Sequence, residues 1–330
     1  MKKIRVAING FGRIGRAFYK LAKENENIEI VAVNDLTSLE NVSYLLKYDS
    51  VYGISNLTLD GVKYLSEKDP TKLPWADLEI DIVVESTGLF TTSDKSQAHI
   101  VAGAKRVVVT APLKDDQMSI IKGETVLMRM NEDALANCNI SSNASCTTNA
   151  GSPLLAILDE TIGVEKALLN TVHAYTASQA IVDGPSKKDL REGRAAAQNI
   201  VPSSTGAAIA VTQVMTQLEG LFDGISIRVP VITGSIVDIT FISKKITTAD
   251  EVNEILKKAS ADPRWKGVFT VTEDDIVSSD IKGNLHASIA DLSFTRVVGG
   301  NLVKVLAWYD NEMGYVYTLL EHVVKAGRLV

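Results

Sequence analysis

The stretch I-R-V-A-I-N-G-F-G-R-I-G-R, Ile4 to Arg16, decides the fold of this chain. Ile4, Val6 and Ile8 alternate as in a strand. Gly10, Gly12 and Gly15 follow in the spacing G-x-G-x-x-G, and Ile14, Phe18, Leu21 and Ala22 recur at helical spacing. Ile28 to Val33 is a second apolar run that ends at Asn34-Asp35. This is a β-α-β order with the glycines in the first turn. Gly10 permits a tight turn, Gly12 a close backbone approach to a pyrophosphate, and Gly15 close packing of helix on strand. The helix start offers N–H groups to phosphates. Asp35 would accept hydrogen bonds from ribose hydroxyls and repel a 2′-phosphate, which favours NAD over NADP. A glycine-rich turn alone is a weak signal, and the strand before it and the helix after it carry the reading. Asn9, Phe11, Arg13 and Ile14 line the same turn, Arg13 and Ile14 offering backbone groups.

Further along, the pattern repeats. Ile80 to Val84 reads as a strand, Ser96 to Gly103 as a helix and Arg106 to Thr110 as a strand. Such alternation predicts a parallel sheet covered on both faces. In E-S-T-G, Glu85 to Gly88, a strand ends in Ser86, Thr87 and Gly88 at the edge where open parallel sheets present ligand contacts. A plain strand-to-loop turn fits these residues too. After Asn149 the character changes. Leu168 to His173, Ile225 to Val231, Ile236 to Ile242 and Leu302 to Trp308 read as strands, and Thr248 to Ala259 as a helix. Thr176 to Val201 reads as an ordered functional loop. Val316, Leu319, Leu320, Val323 and Val324 make one apolar helix face.

A length of 330 residues allows one very large or two ordinary domains. Hydrophobic content of 45% and a net charge of −6 fit a globular protein and argue against a basic nucleic-acid surface. Cys138 and Cys146 are too few for a disulfide framework. His99, His173, His286 and His322 are scattered, none at zinc-ligand spacing with a cysteine, so no metal is expected. No apolar leader or spanning stretch is visible, so no membrane partner is expected and a cytoplasmic enzyme is the simplest reading.

The second informative stretch is S-N-A-S-C-T-T-N, Ser142 to Asn149. It sets Cys146 among small and hydroxylated residues at a turn into a helix. The helix dipole and nearby N–H groups favour a thiolate and can receive an oxyanion. The expectation is a thiol pKa lowered toward ~3.5–7.5. A small buried thiol ending a core strand is the plainer alternative.

With these pieces in order the chain resembles the glyceraldehyde-3-phosphate dehydrogenase family. The resemblance rests on A-I-N-G-F-G-R-I-G-R, L-L-K-Y-D-S at Leu45 to Ser50, S-N-A-S-C-T-T-N, T-V-H-A-Y-T-A-S-Q from Thr171, S-T-G-A-A from Ser204, R-V-P at Arg228 and W-Y-D-N-E-M-G-Y from Trp308. It implies an α/β fold: a Rossmann-type parallel sheet domain plus an α+β catalytic domain with a mainly antiparallel sheet. The expected boundaries are 1–146 for the NAD-binding domain, 147–311 for the catalytic domain and 312–330 for a C-terminal helix packing back on the former.

The resemblance also implies the chemistry. Cys146 would attack the aldehyde of glyceraldehyde 3-phosphate to give a hemithioacetal and then a thioester, with His173 holding the thiolate as an ion pair and then taking the hydroxyl proton. Inorganic phosphate would release 1,3-bisphosphoglycerate. Ser145, Thr147, Thr176, Arg191, Thr205, Gly206 and Arg228 would bind the two phosphates. Asn9, Gly10, Phe11, Gly12, Arg13, Ile14, Asn34, Asp35, Lys68, Ser86, Thr87, Gly88, Thr110, Asn311 and Tyr315 would hold NAD. Asn311 would orient the nicotinamide carboxamide with Tyr315 near it, while Tyr309 reads equally as core packing. A homotetramer is implied, because loops like the one at Gly184-Pro185 cross to a neighbouring subunit's cofactor.

The sequence departs from the family pattern at Ala150, usually a second cysteine, at Ile209, usually lysine, and at Lys68, usually arginine. Met128-Arg129-Met130 replaces a small, glycine-containing strand end, and the stretch between Tyr52 and Lys68 is short. The enzyme rival is erythrose-4-phosphate dehydrogenase, against which Thr176, Thr205 and Gly206 argue. A rival of another class is a non-catalytic redox sensor or binding protein built around Cys146.

Overall fold

The computed structural model describes residues 2–186 and 189–330. The chain divides into two compact units, Met1–Ser145 with Val316–Val330, and Cys146–Tyr315.

The first unit runs β1 (Ile4–Asn9), α1 (Arg13–Lys23), β2 (Ile28–Asn34), α2 (Leu39–Lys47), the small hairpin β3 (Tyr48–Asp49) and β4 (Gly53–Ile54), β5 (Lys63–Leu65), β6 (Ile82–Glu85), α3 (Ser93–Val101), β7 (Arg106–Val109), β8 (Glu124–Thr125) and β9 (Ile140–Ser142). Seven strands form one sheet in the order β5-β2-β1-β6-β7-β9-β8, every pair parallel. Val6, Ala7 and Ile8 of β1 and Ile82, Val83 and Val84 of β6 are all buried, so these strands are apolar on both faces rather than alternating. The chain leaves β1 for β2 on one side and returns to β6 on the other. At that reversal the carboxyl ends of the strands, Asn9, Asn34 and Glu85, come together, which is where such sheets bind ligands.

Two boundaries shift from the sequence reading for identifiable reasons. The strand expected at Ile80 begins at Ile82, because Ile80 closes a turn in which its N–H donates to Trp75 O. The helix expected at Ser96 begins at Ser93, because the Thr92 hydroxyl caps it by accepting from Lys95 N. Arg129 lies in the left-handed backbone region, φ 69°, which favours glycine. Its N–H donates to Glu132 Oε1 at 2.6 Å and its guanidinium to Glu321 Oε1 at 2.7 Å, contacts that offset the strain.

The second unit runs α4 (Cys146–Thr161), β10 (Val164–Ala174), β11 (Val201–Ser204), α5 (Ala207–Val214), β12 (Phe222–Val229), β13 (Ser235–Ser243), α6 (Ala249–Ala261), β14 (Phe269–Thr272), β15 (Ser288–Val298) and β16 (Leu302–Tyr309). The C-terminal helix α7 (Met313–Gly327) starts at the end of this unit and continues in the first. The sheet order is β11-β12-β10-β13-β16-β15-β14, antiparallel except for β10–β12 and β14–β15. β13 alternates between buried and half-buried residues, as expected of a sheet whose helices α4, α5 and α6 cover one face. Sequence periodicity did not reveal β15, because buried Ser288 and Asp291 interrupt its apolar pattern. Asp291 accepts a hydrogen bond from Trp308 Nε1 at 2.9 Å.

Among the described residues no helix is long and apolar enough to cross a membrane.

Candidate active site

The glycine turn in the first unit is shaped by steric exclusion. Gly10 has φ 92°, and a Cβ on it would lie 2.7 Å from Thr87 N. A Cβ on Gly15 would lie 2.2 Å from Gly10 O, so helix and turn touch at the backbone. Gly12 faces open space and caps α1 without any side-chain hydrogen bond. The room at Gly12 lets a phosphate approach the start of α1, where the helix dipole favours an anion. Ser86 latches the turn to β6 by donating to Gly10 O at 2.6 Å. Gly88 also has a left-handed backbone, and Thr110 N donates to Glu85 O beside it.

Asp35 follows β2 at the rim of this turn. Its carboxylate accepts from Phe11 N at 2.7 Å and from Thr37 N at 2.9 Å. Burial pushes its pKa up, but those two N–H groups and the nearby Arg16 outweigh burial and hold it below the ordinary carboxylate value. The group stands ionised, as reading a ribose diol requires. The open glycine, the uncapped helix start and the acidic rim together fit a dinucleotide.

Asn9 and Asn34 are placed differently from the other turn residues. Asn9 Nδ2 donates to Glu85 Oε2 at 2.6 Å, and Asn34 Nδ2 donates to Asn9 Oδ1 at 2.7 Å. Glu85 also meets His99 Nε2 at 3.0 Å, and Trp75 Nε1 donates to His99 Nδ1 at 3.1 Å. An indole only donates, so His99 carries its proton on Nε2 and gives it to Glu85. These side chains form a buried polar row beneath the strand ends. The sequence reading gave Trp75 and His99 no role and took Glu85 only as the end of a strand, because their pairing depends on contacts far apart in the chain. Lys68 is exposed at the rim.

In the second unit Cys146 opens α4, which follows β9 through a turn with Ala144 at φ 53°. Its Sγ lies 3.4 Å from His173 Nε2. His173 ends β10, and the parallel register of β10 on β12 puts it directly beside Arg228. Two groups meet His173 Nδ1: Ala174 O at 2.6 Å and Arg228 Nη1 at 2.7 Å. Burial and the guanidinium of Arg228 push the His173 pKa down to about 3, so the imidazole is neutral.

The expected low thiol pKa is not what the structure produces. Burial pushes the Cys146 thiol up and outweighs Arg228 and the Thr147 N–H and hydroxyl, which pull it down. The helix start is present, but desolvation of the charged form dominates. Cys146 therefore stands as a thiol beside a neutral imidazole.

Tyr309 braces this pair. Its hydroxyl is 2.9 Å from Thr147 Oγ1 and 2.8 Å from Thr171 Oγ1, and its ring meets the His173 ring edge-on at 5.9 Å. Its pKa is raised by burial. Sequence reading left Tyr309 evenly between core packing and a role in the site, because α4, β10 and β16 must assemble before its hydroxyl finds partners.

The remaining expected residues divide. Asn311 is buried, and its Oδ1 accepts from Gly234 N and Ser235 Oγ, both at 3.1 Å, which fixes the amide plane. Tyr315 is buried in α7, and Ser145 immediately precedes the nucleophile. Thr176 follows β10, its hydroxyl 3.0 Å from Ser178 Oγ. Gly206 caps α5 in open space, and Thr205 Oγ1 accepts from Ala207 N. In register, Val201 faces Arg228 and Ser204 faces Ile225. Thr205 and Gly206 thus lie roughly 10 Å along the strand from Arg228. A cavity of about 680 Å³ lined by Asp189, Leu190, Arg191, Glu192 and Ser204 adjoins them. There Arg191 is exposed and pairs with Asp189 at 2.9 Å.

Known proteins match both units. Residues 4–93 match the family described as glyceraldehyde 3-phosphate dehydrogenase, NAD binding domain, and residues 145–311 match its C-terminal domain. The chain is 47% identical to a glyceraldehyde-3-phosphate dehydrogenase of Streptomyces coelicolor, over 98% of each chain. It is 48% identical to one of Borreliella burgdorferi, over 98% of this chain and 100% of the relative. With glycine turn, cysteine–histidine pair and both domain signatures in place, the chain belongs to the glyceraldehyde-3-phosphate dehydrogenase family.

Proposed function

We propose that this protein oxidises D-glyceraldehyde 3-phosphate to 1,3-bisphosphoglycerate with NAD and inorganic phosphate. The observation that carries the reading is the 3.4 Å contact between Cys146 Sγ and a neutral His173. The thiol passes its proton to Nε2 as the sulfur attacks the aldehyde carbon, and the proton returns to the new oxyanion to give a hemithioacetal. Nε2 then takes that hydroxyl proton as the carbon is oxidised to a thioester. Hydride acceptance is the chemistry that NAD supplies when bound, with Gly12, the start of α1 and Asp35 to hold it. Finally phosphate attacks the acyl carbon, the C–S bond breaks, and the sulfur leaves with the electron pair and recovers its proton from His173.

Arg228 and Thr176 are assigned to the substrate phosphate, and Arg191, Thr205 and Gly206 to the attacking one. Ser145 and Thr147 offer hydroxyls beside the sulfur, and the fixed amide of Asn311 serves the nicotinamide carboxamide with Tyr315. Exposed apolar residues on α2 (Leu39, Tyr44) and in the 176–201 loop (Ile181, Val182, Leu190) support association into a homotetramer. Two free cysteines support a reducing, cytoplasmic setting.

The test is NADH formation at saturating glyceraldehyde 3-phosphate while phosphate is titrated. Turnover should rise from near zero to a plateau. Phosphate-independent oxidation of erythrose 4-phosphate at a higher rate would overturn the assignment.

A further inference from the structure

In the sheet of the second unit β13 lies between β10 and β16, so its first residue, Ser235, stands between the ends of two strands. On one side Ala174 N, next in the chain after His173, donates to Ser235 Oγ at 3.1 Å. On the other, Ser235 pairs in register with Tyr309, and its Oγ lies 3.1 Å from Asn311 Oδ1. A backbone N–H only donates, so Ser235 Oγ accepts from Ala174 and gives its own proton to Asn311. The Gly234 N–H also only donates, and the Asn311 atom 3.1 Å from it is therefore the carbonyl oxygen. Gly234 is itself held by crowding: its φ is 88°, and a Cβ there would lie 2.4 Å from Ser278 O. Buried Asp310 pins the turn that carries Asn311, accepting from Glu312 N at 2.9 Å, Met313 N at 3.0 Å and Gly283 N at 2.7 Å. With both lone pairs of Oδ1 taken, the donor Nδ2 is the end of the amide left for a ligand, and among the described residues it meets no protein acceptor.

We propose that Ser235 is the positioning residue that orients Asn311, its hydroxyl joining the amide that serves the nicotinamide carboxamide to the strand end that carries His173. This rests on the reading of Asn311 as the carboxamide's partner, and deepens it. The χ2 torsion of an asparagine is broad and two-fold, so an amide held at one point swings or turns end for end. The Gly234 N–H is one point, and the Ser235 hydroxyl is the second. Ser235 is 1% exposed, so leaving either partner would strand a buried polar atom, which keeps the hydroxyl in place. Two hydrogen bonds, Ala174 N to Ser235 and Ser235 to Asn311, thereby set the spacing between the base and the group that aligns the hydride acceptor.

The test uses the full-length protein and calorimetric titration with NAD and with ADP-ribose, which lacks the nicotinamide and so makes no use of Asn311. In Ser235→Ala the Kd for NAD should rise about tenfold, or about 1.4 kcal/mol. The Kd for ADP-ribose should stay within about twofold. Ser235→Thr, which keeps the hydroxyl, should bind both ligands as the unmodified protein does. Ser235→Cys keeps a side chain of similar shape but donates weakly, and should show the same selective loss at about threefold; it carries the test if the alanine variant does not fold. Equal losses for the two ligands, or an unchanged NAD affinity in the alanine or the cysteine variant, overturn the inference. Asn311→Ala is the reference: an unchanged ratio of NAD to ADP-ribose affinity there would instead break the reading of Asn311 itself.

Discussion

The glycine turn is shaped within six residues, Gly10–Gly15, by the neighbouring strand ends at Ser86-Thr87 and Asp35. At the reacting centre, Cys146, His173, Arg228 and Tyr309 come from α4, β10, β12 and β16. The first site is built by leaving atoms out, since a methyl group at Gly10 or Gly15 would strike backbone. The second is built by bringing polar atoms into a buried place, where each needs a partner and each partner alters the others' protonation. A site of the first kind announces itself as a motif. One of the second kind becomes legible only when the register of the sheet is known.

The contrast can be broken most forcefully at the second site. His173→Gln keeps a polar group beside the sulfur but removes the base, and turnover should fall roughly 10²–10⁴-fold. NAD affinity, measured by isothermal titration, should stay within about twofold, since no turn residue depends on β10. A proportional loss of NAD binding would show that the two sites do not separate.

At the first site Gly10→Ala should do the reverse. The substitution meets both a left-handed backbone and a 2.7 Å contact with Thr87 N. A loss of about 1–3 kcal/mol in stability and a marked weakening of NAD binding are expected. Thermal unfolding and NAD titration check this, and an alanine variant with unaltered NAD affinity would show that the turn has slack.

Within the first unit alone, a pH dependence is expected at the end of β9. His322 is fully buried, with Nε2 2.8 Å from Ser141 Oγ and Nδ1 3.2 Å from Asn143 Oδ1. Burial pushes its pKa down to about 3. Below about pH 6.5 the unfolded chain takes up this proton and the folded chain does not. Stability therefore falls as pH drops from about 6.5 toward 3, by at most about 1.4 kcal/mol per pH unit from this group. In His322→Gln that part of the acid slope should disappear in urea unfolding at pH 7, 5.5 and 4.5. Parallel slopes for the two proteins would remove His322 as the cause.

The sequence alone determined the β-α-β start, the acidic rim at Asp35 and the presence of a cysteine at a helix opening, because each is a short-range pattern of glycine, apolar spacing and one side chain. It placed the central strands of both sheets, losing the short β5, β8, β9, β11 and β14 and also β15, where buried Ser288 and Asp291 disguise the alternation. Only the tertiary structure decided the charge state of Cys146, since desolvation is a property of what packs around a sulfur and not of its neighbours in the chain. Tertiary structure likewise turned Asn9 and Asn34 into a buried polar row with Glu85, and set Arg228 beside His173 through one step of parallel register.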